Sequence, residues 1–296
     1  MPARLPDSPF PDLRMSHAHA VAVLDQLASQ TWRLLRACYD RGIRIDEDAI
    51  TTQLLIAIAT QLGGTLLMAD GRKDERRTGC DFELWVSDHG SGWRAYVVQA
   101  KRVTVPTAAY QKLCYRVGKS GPLQHDLLRV FAGARRATPL YLFYNHWDPT
   151  LVPAGSLRYA ATAPTDHRFG CSVTSLHTAK LAMHRAGARN YPWLHAQAST
   201  KRWSSLLNPS AAKPVLPVIA PATAGIANSR GSSTGEESDE AGGIDVDAIV
   251  DSNEHAELPA YLQPYANRPG VHTVREGEGV ELVSRATLML GRNAVG

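Results

Sequence analysis

The chain has 296 residues, 44% of them hydrophobic and 20% charged, with a formal net charge of +4. That is the make-up of a soluble globular protein with one large domain or two small ones. The most apolar run, LLIAIATQLGGTLLMA at 54–69, is too short and too interrupted to cross a bilayer, and the Pro-rich start lacks the apolar centre of a secretory signal.

Four scattered cysteines form no C-x-x-C pair. This argues against a disulfide framework and a zinc cluster and for reduced thiols in a cytoplasm. Charge is unevenly spread: residues 1–206 hold 26 Lys/Arg against 16 Asp/Glu, and residues 207–296 hold 6 against 12. A basic body with an acidic tail is compatible with a polyanionic partner, though weak evidence for one by itself.

In chain order, residues 1–16 are Pro-rich and expected to be flexible. Apolar residues spaced by 3 and 4 predict a helix over 17–41, stopped near Gly42. A second helix is predicted from Asp46 to about Leu62, with Asp46 as N-cap and Ile45 and Ile50 as a hydrophobic staple; Gly63 and Gly64 close it. A strand at 65–69 and a polar loop at 70–79 follow. The segments CDFELWVS and RAYVVQAKRV then read as two strands of a hairpin around a Gly-rich turn. Helices are predicted at 107–117 and 122–136, a central strand at 140–145, a helix at 172–186 and a last packed piece at 193–207. Residues 208–257 turn to Pro, Ala, Gly and Ser with an acidic run, the composition of a disordered linker. A short C-terminal segment, 258–296, regains Tyr and Leu and a possible strand, VELVS.

The hairpin carries the chemistry. Residues two apart in a strand share a face, so Asp81, Glu83 and Trp85 point one way, and Val97, Gln99 and Lys101 share a face on the partner strand. An odd-length connection or a bulge near residues 88–93 is needed to bring Asp81 to Gln99 or Lys101. Coincident polar faces make a site for a hard cation: carboxylate and amide oxygens suit Mg²⁺, and a nearby ammonium favours hydroxide. Solvated cross-strand pairs are the plainer reading, but the apolar flanks ELWV and YVV place these strands in a core.

Helix, strand, then D-(x)n-(E/Q)-x-K on a hairpin, then helix and strand, resembles the PD-(D/E)XK or restriction-endonuclease-like nuclease superfamily. Asp81 and Gln99-Ala100-Lys101 match its motif. With Gln in place of the second acid, it is similar to the Mrr-type branch. The resemblance covers roughly residues 18–190. It implies an α/β fold with a mixed β-sheet flanked by helices in αβββαβ order, forming a nuclease domain over 17–207. It implies a metal-dependent enzyme using Mg²⁺ or Mn²⁺ on nucleic acid, DNA ahead of RNA, with a homodimer possible and restriction or anti-phage defence as the setting. Asp81 would bind the metal, Gln99 and the Ala100 carbonyl would supply ligand oxygens, and Lys101 would orient or activate the water. Glu47 fits the glutamate that many members take from the first core helix, since Glu47, Ile50, Thr51, Leu54 and Ile58 form one helical stripe. A neutral Gln99 lowers the negative charge of the site and leaves room for a non-catalytic nucleic-acid-binding or scaffold protein on the same fold.

Nucleic-acid contacts are expected from Arg102, from Arg72 and Lys73 in the 70–79 loop, and from Gln124 on the helix after the hairpin. For Gln124 and His125 a plain solvent-facing role is the competing expectation. Trp85 and Trp93 are expected in the core. The histidines show no H-x-x-x-H spacing, and no G-x-S-x-G elbow occurs.

Overall fold

A computed structural model describes residues 17–62, 67–70, 75–88, 92–152, 155, 157–207 and four short stretches at 254–255, 274–276, 279–281 and 288–290. Expectations for residues 1–16, for Gly63 and Gly64, for Arg72 and Lys73 and for most of the 208–257 linker lie outside these residues.

Two helices open the fold, α1 (His17–Asp40) and α2 (Glu47–Gln61). Both match their periodicity. Val23, Leu24, Leu27, Trp32 and Leu35 bury one stripe of α1, and Ile50, Thr51, Leu54 and Ile58 bury one stripe of α2. Asp46 holds the N-cap position in extended backbone, but its side chain makes no capping hydrogen bond.

The strands β1 (Leu67–Asp70), β2 (Phe82–Asp88) and β3 (Gly92–Arg102) follow, with a single helical turn α3 (Glu75–Thr78) before β2. Then come α4 (Gln124–Arg135), β4 (Thr138–Tyr144), β5 (Cys171–Ser175), α5 (Leu176–His184), α6 (Tyr191–His195) and β6 (Lys201–Arg202). The protein is thus α/β, with a mixed open sheet flanked by helices. Its main path runs β1-β2-β3-β4-β5-β6, antiparallel except for the β3–β4 pair. The parallel pair is joined through α4, the kind of crossover that parallel neighbours require.

Register decides which side chains meet. From Phe82↔Val98 to Asp88↔Gly92 the β2–β3 ladder is unbroken, leaving residues 89–91 as a three-residue connection. The odd-length loop expected from the face argument is what occurs. Alternation then sorts the two faces. Leu24 of α1 and Ile58 of α2 share one apolar space with Phe82, Leu84, Val98, Leu142 and Val173. On the other face Arg135 of α4 reaches Glu83 at 3.5 Å. Trp85 and Trp93 are buried, as expected.

Two expectations fail. Residues 107–117 are not helical: a 3-10 turn at Val105–Thr107 ends in a left-handed Ala108. Thr104 and Ala109 then bridge, Ala109 pairs with Asn190, and the Tyr110 amide donates to Arg189 O at 2.9 Å. The helical spacing of Tyr110 and Leu113 was core burial, and distant backbone takes the hydrogen bonds a helix would need. The predicted 172–186 helix begins as strand β5: CSVTS is rich in small and β-branched residues and pairs with β4. Ser175 then caps α5 by accepting from the Thr178 amide. Within the stretch read as linker the described residues are 254–255; they form β7 (Glu254–His255), which pairs with Trp93–Arg94 of β3.

Of the C-terminal segment, β8 (Val274–Glu276) and β9 (Gly279–Glu281) form a hairpin, and β10 (Leu288–Leu290) pairs parallel with the end of β2. Val280 and Glu281 of the expected VELVS strand lie in β9, and its residues 282–284 lie outside the described residues.

The chain returns to α1 before residue 208. Trp203 Nε1 donates to Leu24 O at 2.8 Å, and Ser204 and Arg202 both bond the Asp25 carboxylate.

Candidate functional site

Lys101 lies near the end of the central strand β3, with β2 and β4 on either side. It is 4% exposed, and an ammonium so deeply placed requires compensation. The first turn of α2 supplies it: Glu47 Oε1 lies 3.3 Å from Lys101 Nζ. The other Glu47 oxygen accepts the Arg102 amide at 2.8 Å. One carboxylate therefore ties the start of α2 to the end of β3. Burial pushes the Glu47 carboxyl above its ordinary value despite the opposing pull of Lys101.

Asp81 sits one residue before β2, 3% exposed. Its amide donates to Val98 O at 2.9 Å. Its Oδ2 accepts from Gln99 Nε2 at 2.5 Å and from the Ala100 amide at 2.6 Å. Burial is the largest influence on this carboxyl and raises it well above the usual range; Lys101 opposes the rise, while Glu47 and Glu75 add to it. The two groups stand on successive residues of β3, Asp81 on Gln99 and Ala100 and Glu47 on Lys101 and Arg102, and Lys101 is among the charges that act on Asp81. Glu47 and Asp81 each retain a preference for the proton that a nearby cation would relieve.

Gln99 is fully buried. Its amide nitrogen is used twice, by Asp81 and by Ala100 O at 3.2 Å, while its Oε1 has no partner. An orphaned buried acceptor costs about 1–3 kcal/mol, and next to two carboxylates it is a donor atom available to a cation. No three His, Cys, Asp or Glu side chains form a metal-ligand group among the described residues. Any metal here would rest on two carboxylates completed by an amide and a carbonyl oxygen, which is hard-cation chemistry.

Gln124 is placed differently from both expectations. It is 2% exposed and donates to Glu75 Oε1 at 2.5 Å, with its own Oε1 unpartnered. It faces neither solvent nor an open nucleic-acid surface. Its burial follows from Gly79, which has φ +67 and lies against α4, where a Cβ would come within 2.3 Å of Gln124 O. That approach presses the turn before Asp81 onto the start of α4. His125 beside it is also buried. Arg102 is half-buried and lines, with Glu47 and Lys101, a pocket of about 340 Å³.

One residue of the site escaped the sequence reading. Tyr141 stands opposite Gln99 in the β3–β4 ladder, and its buried hydroxyl has no partner. Burial chiefly, and then Asp81, keep the phenol protonated far above its ordinary value. Within LYLFYN nothing marked it off from core aromatics. Only the register sets Tyr141 opposite Gln99.

A second polar network is wholly structural in placement. Tyr110 donates to Asn145, Asn145 donates to Ser172 Oγ at 2.9 Å, and Ser172 meets His195 Nε2 at 2.9 Å. His195 Nδ1 faces Tyr191 O at 2.9 Å and so must carry the proton, leaving Nε2 to accept from Ser172. Burial lowers this histidine to about 3.

A family model described as a family of unknown function (DUF6615) matches residues 20–292. No curated protein matches the chain at a significant level.

Proposed function

The chain belongs to the DUF6615 family, whose function is unknown, and we propose that it is a metal-dependent nuclease hydrolysing phosphodiester bonds at the Glu47–Asp81–Gln99–Lys101 cluster. The observation that carries this reading is the buried Lys101 ammonium, paired with Glu47 and acting on Asp81, beside an amide oxygen with no partner. A sheet that needed only stability would more cheaply hold an apolar side chain there. The element order α2-β1-α3-β2-β3-α4-β4, in which α3 is a single turn, accords with the restriction-endonuclease-like core that the motif resembles.

Asp81, Gln99 through Oε1, the Ala100 carbonyl and Glu47 are the groups that would hold Mg²⁺ or Mn²⁺. A divalent cation there supplies charge neutralisation for a phosphate and a more acidic water. The chain's own residues do the rest. Lys101 places a fixed positive charge where an attacking hydroxide and the phosphate oxygens gather negative charge. Glu47 holds that ammonium in position and the Arg102 backbone with it. The Asp81 carboxylate is aimed by two donors from β3 and so needs no reorganisation. Gln99, neutral where an acid is common in the superfamily, leaves the cluster less negative and favours weaker metal binding.

The test is cleavage of plasmid DNA and single-stranded RNA with Mg²⁺ or Mn²⁺ by wild type and Lys101→Ala, beside a melting curve of each. Loss of cleavage by about 10²-fold or more in the variant, with folding intact, is the expected result. Equal cleavage by the variant removes Lys101 from the chemistry. A wild type that cuts neither substrate favours a protein that binds nucleic acid without cutting it.

A further inference from the structure

The pocket of about 340 Å³ beside the Glu47–Lys101 pair has a charge pattern the catalytic cluster does not need. Four of its lining residues are cationic, Arg44, Lys101, Arg102 and Lys112, against the carboxylates of Asp46 and Glu47. Lys101 is engaged by Glu47. Arg44 meets Asp46 at 3.2 Å, but both side chains are more than 70% exposed, where such a pair holds weakly. Arg102 and Lys112 form no ion pair among the described residues. The pocket also includes the start of the 15-residue helix α2, where the Asp46 side chain makes no capping hydrogen bond and Glu47 and Asp48 add negative charge.

The walls limit what can enter. The segment 104–112 forms one side and is pinned from behind: Tyr110 donates to Asn145 Oδ1 at 2.6 Å, its amide donates to Arg189 O, and Ala109 pairs with Asn190. A space of this volume lies at the small end of ligand sites, which begin at about 300 Å³, and suits a single nucleotide. The major groove of a duplex alone is about 12 Å wide, so two paired strands do not fit.

We propose that this pocket receives one nucleotide of a single-stranded nucleic acid next to the bond to be cut, with Arg44, Arg102 and Lys112 gripping its phosphate. The inference rests on the nuclease reading for what happens at the neighbouring phosphate, but the grip itself needs no metal and no chemistry. Arg44 and Lys112 become binding residues, and the preferred substrate is an unpaired strand or a frayed end.

The experiment is fluorescence anisotropy of the full chain in EDTA with a labelled single-stranded DNA hexamer and a blunt duplex of the same sequence, across a salt series. The hexamer is expected to bind at least tenfold more tightly than the duplex. The double variant Arg44→Ala/Lys112→Ala should weaken hexamer binding tenfold or more and reduce the salt slope by about 0.7, the share of one phosphate contact on a single strand. Both residues are exposed, so the melting curve should be unchanged. Equal affinity for duplex and hexamer, no hexamer binding at all, or a double variant that binds like wild type overturns the proposal. A chain that binds the hexamer as described yet never cleaves with Mg²⁺ or Mn²⁺ retains this pocket and loses the nuclease reading. A chain that cleaves with the double variant unimpaired retains the nuclease and loses the pocket.

Discussion

Asp81 is held as an acceptor by Gln99 and Ala100 while burial favours its protonated form, and that conflict has a measurable consequence. Its folded value lies above the ordinary 3.8, so the native state keeps a proton that the unfolded chain gives up. The group's contribution to stability is therefore complete below that ordinary value and is lost as pH rises through the raised one. Asp81→Asn keeps an acceptor oxygen and removes the titration. In EDTA its melting temperature should exceed that of wild type at pH 7, with the gap closing toward pH 4. A variant less stable than wild type at pH 7 would show that the carboxylate is fully compensated. Tyr141 gives a second reading of the same place. Replacing an unpartnered buried hydroxyl by hydrogen relieves a desolvation cost, so Tyr141→Phe should gain on the order of 1 kcal/mol in urea unfolding. A loss of that size would reveal a partner for the phenol.

At the scale of elements, β3 organises the site, because β2 pairs along it as far as Val98 while β4 and the first turn of α2 meet its C-terminal end. The hairpin was legible in the sequence: period-two alternation in ELWV and YVVQAK put Glu83, Gln99 and Lys101 on one face, and the turn length set the register. The 107–117 and 172–186 segments were misread for the same physical reason. Apolar spacing reports burial, and either a strand or an irregular loop pinned by distant backbone can supply it. The α6–β5 junction carries its own pH dependence. His195 stays neutral in the fold, lowered to about 3 by burial, whereas the unfolded chain takes up a proton near its ordinary 6.5. The stability this gives is present above pH 6.5 and declines as pH falls toward 3. Melting curves between pH 7.5 and 4 should show that decline in wild type and a shallower one in His195→Gln. Parallel profiles would assign the acid sensitivity to His125 and His146, which burial also lowers.

Among the residues whose burial is described, the continuous hydrophobic core lies between Ala20 and Leu207, and Trp203 and Ser204 return onto α1. Beyond it, β7 and β10 add short pairings to β3 and β2. A chain ending at Leu207 should therefore still unfold in one cooperative step by circular dichroism. Its midpoint should fall by a few degrees, the shift that about 1 kcal/mol produces in a domain of this size. A truncated chain with no cooperative transition would make the C-terminal strands part of the core.

Sequence by itself determined the ingredients of the candidate site and half of their arrangement. Alternation along two adjacent strands is a local property, so the meeting of Asp81 with Gln99 and the sidedness of Lys101 followed from a period of two and an odd loop. The stripe on α2 likewise aimed Glu47 toward the core. Contacts made across long stretches of chain were decided only by the tertiary structure. These include the Glu47–Lys101 bond across 54 residues, the parallel register that sets Tyr141 beside Gln99 and the turn of Gln124 inward onto Glu75. Local propensities carry no information about which elements lie side by side. That choice belongs to packing, which buries one shared core and thereby fixes every register and helix end at once.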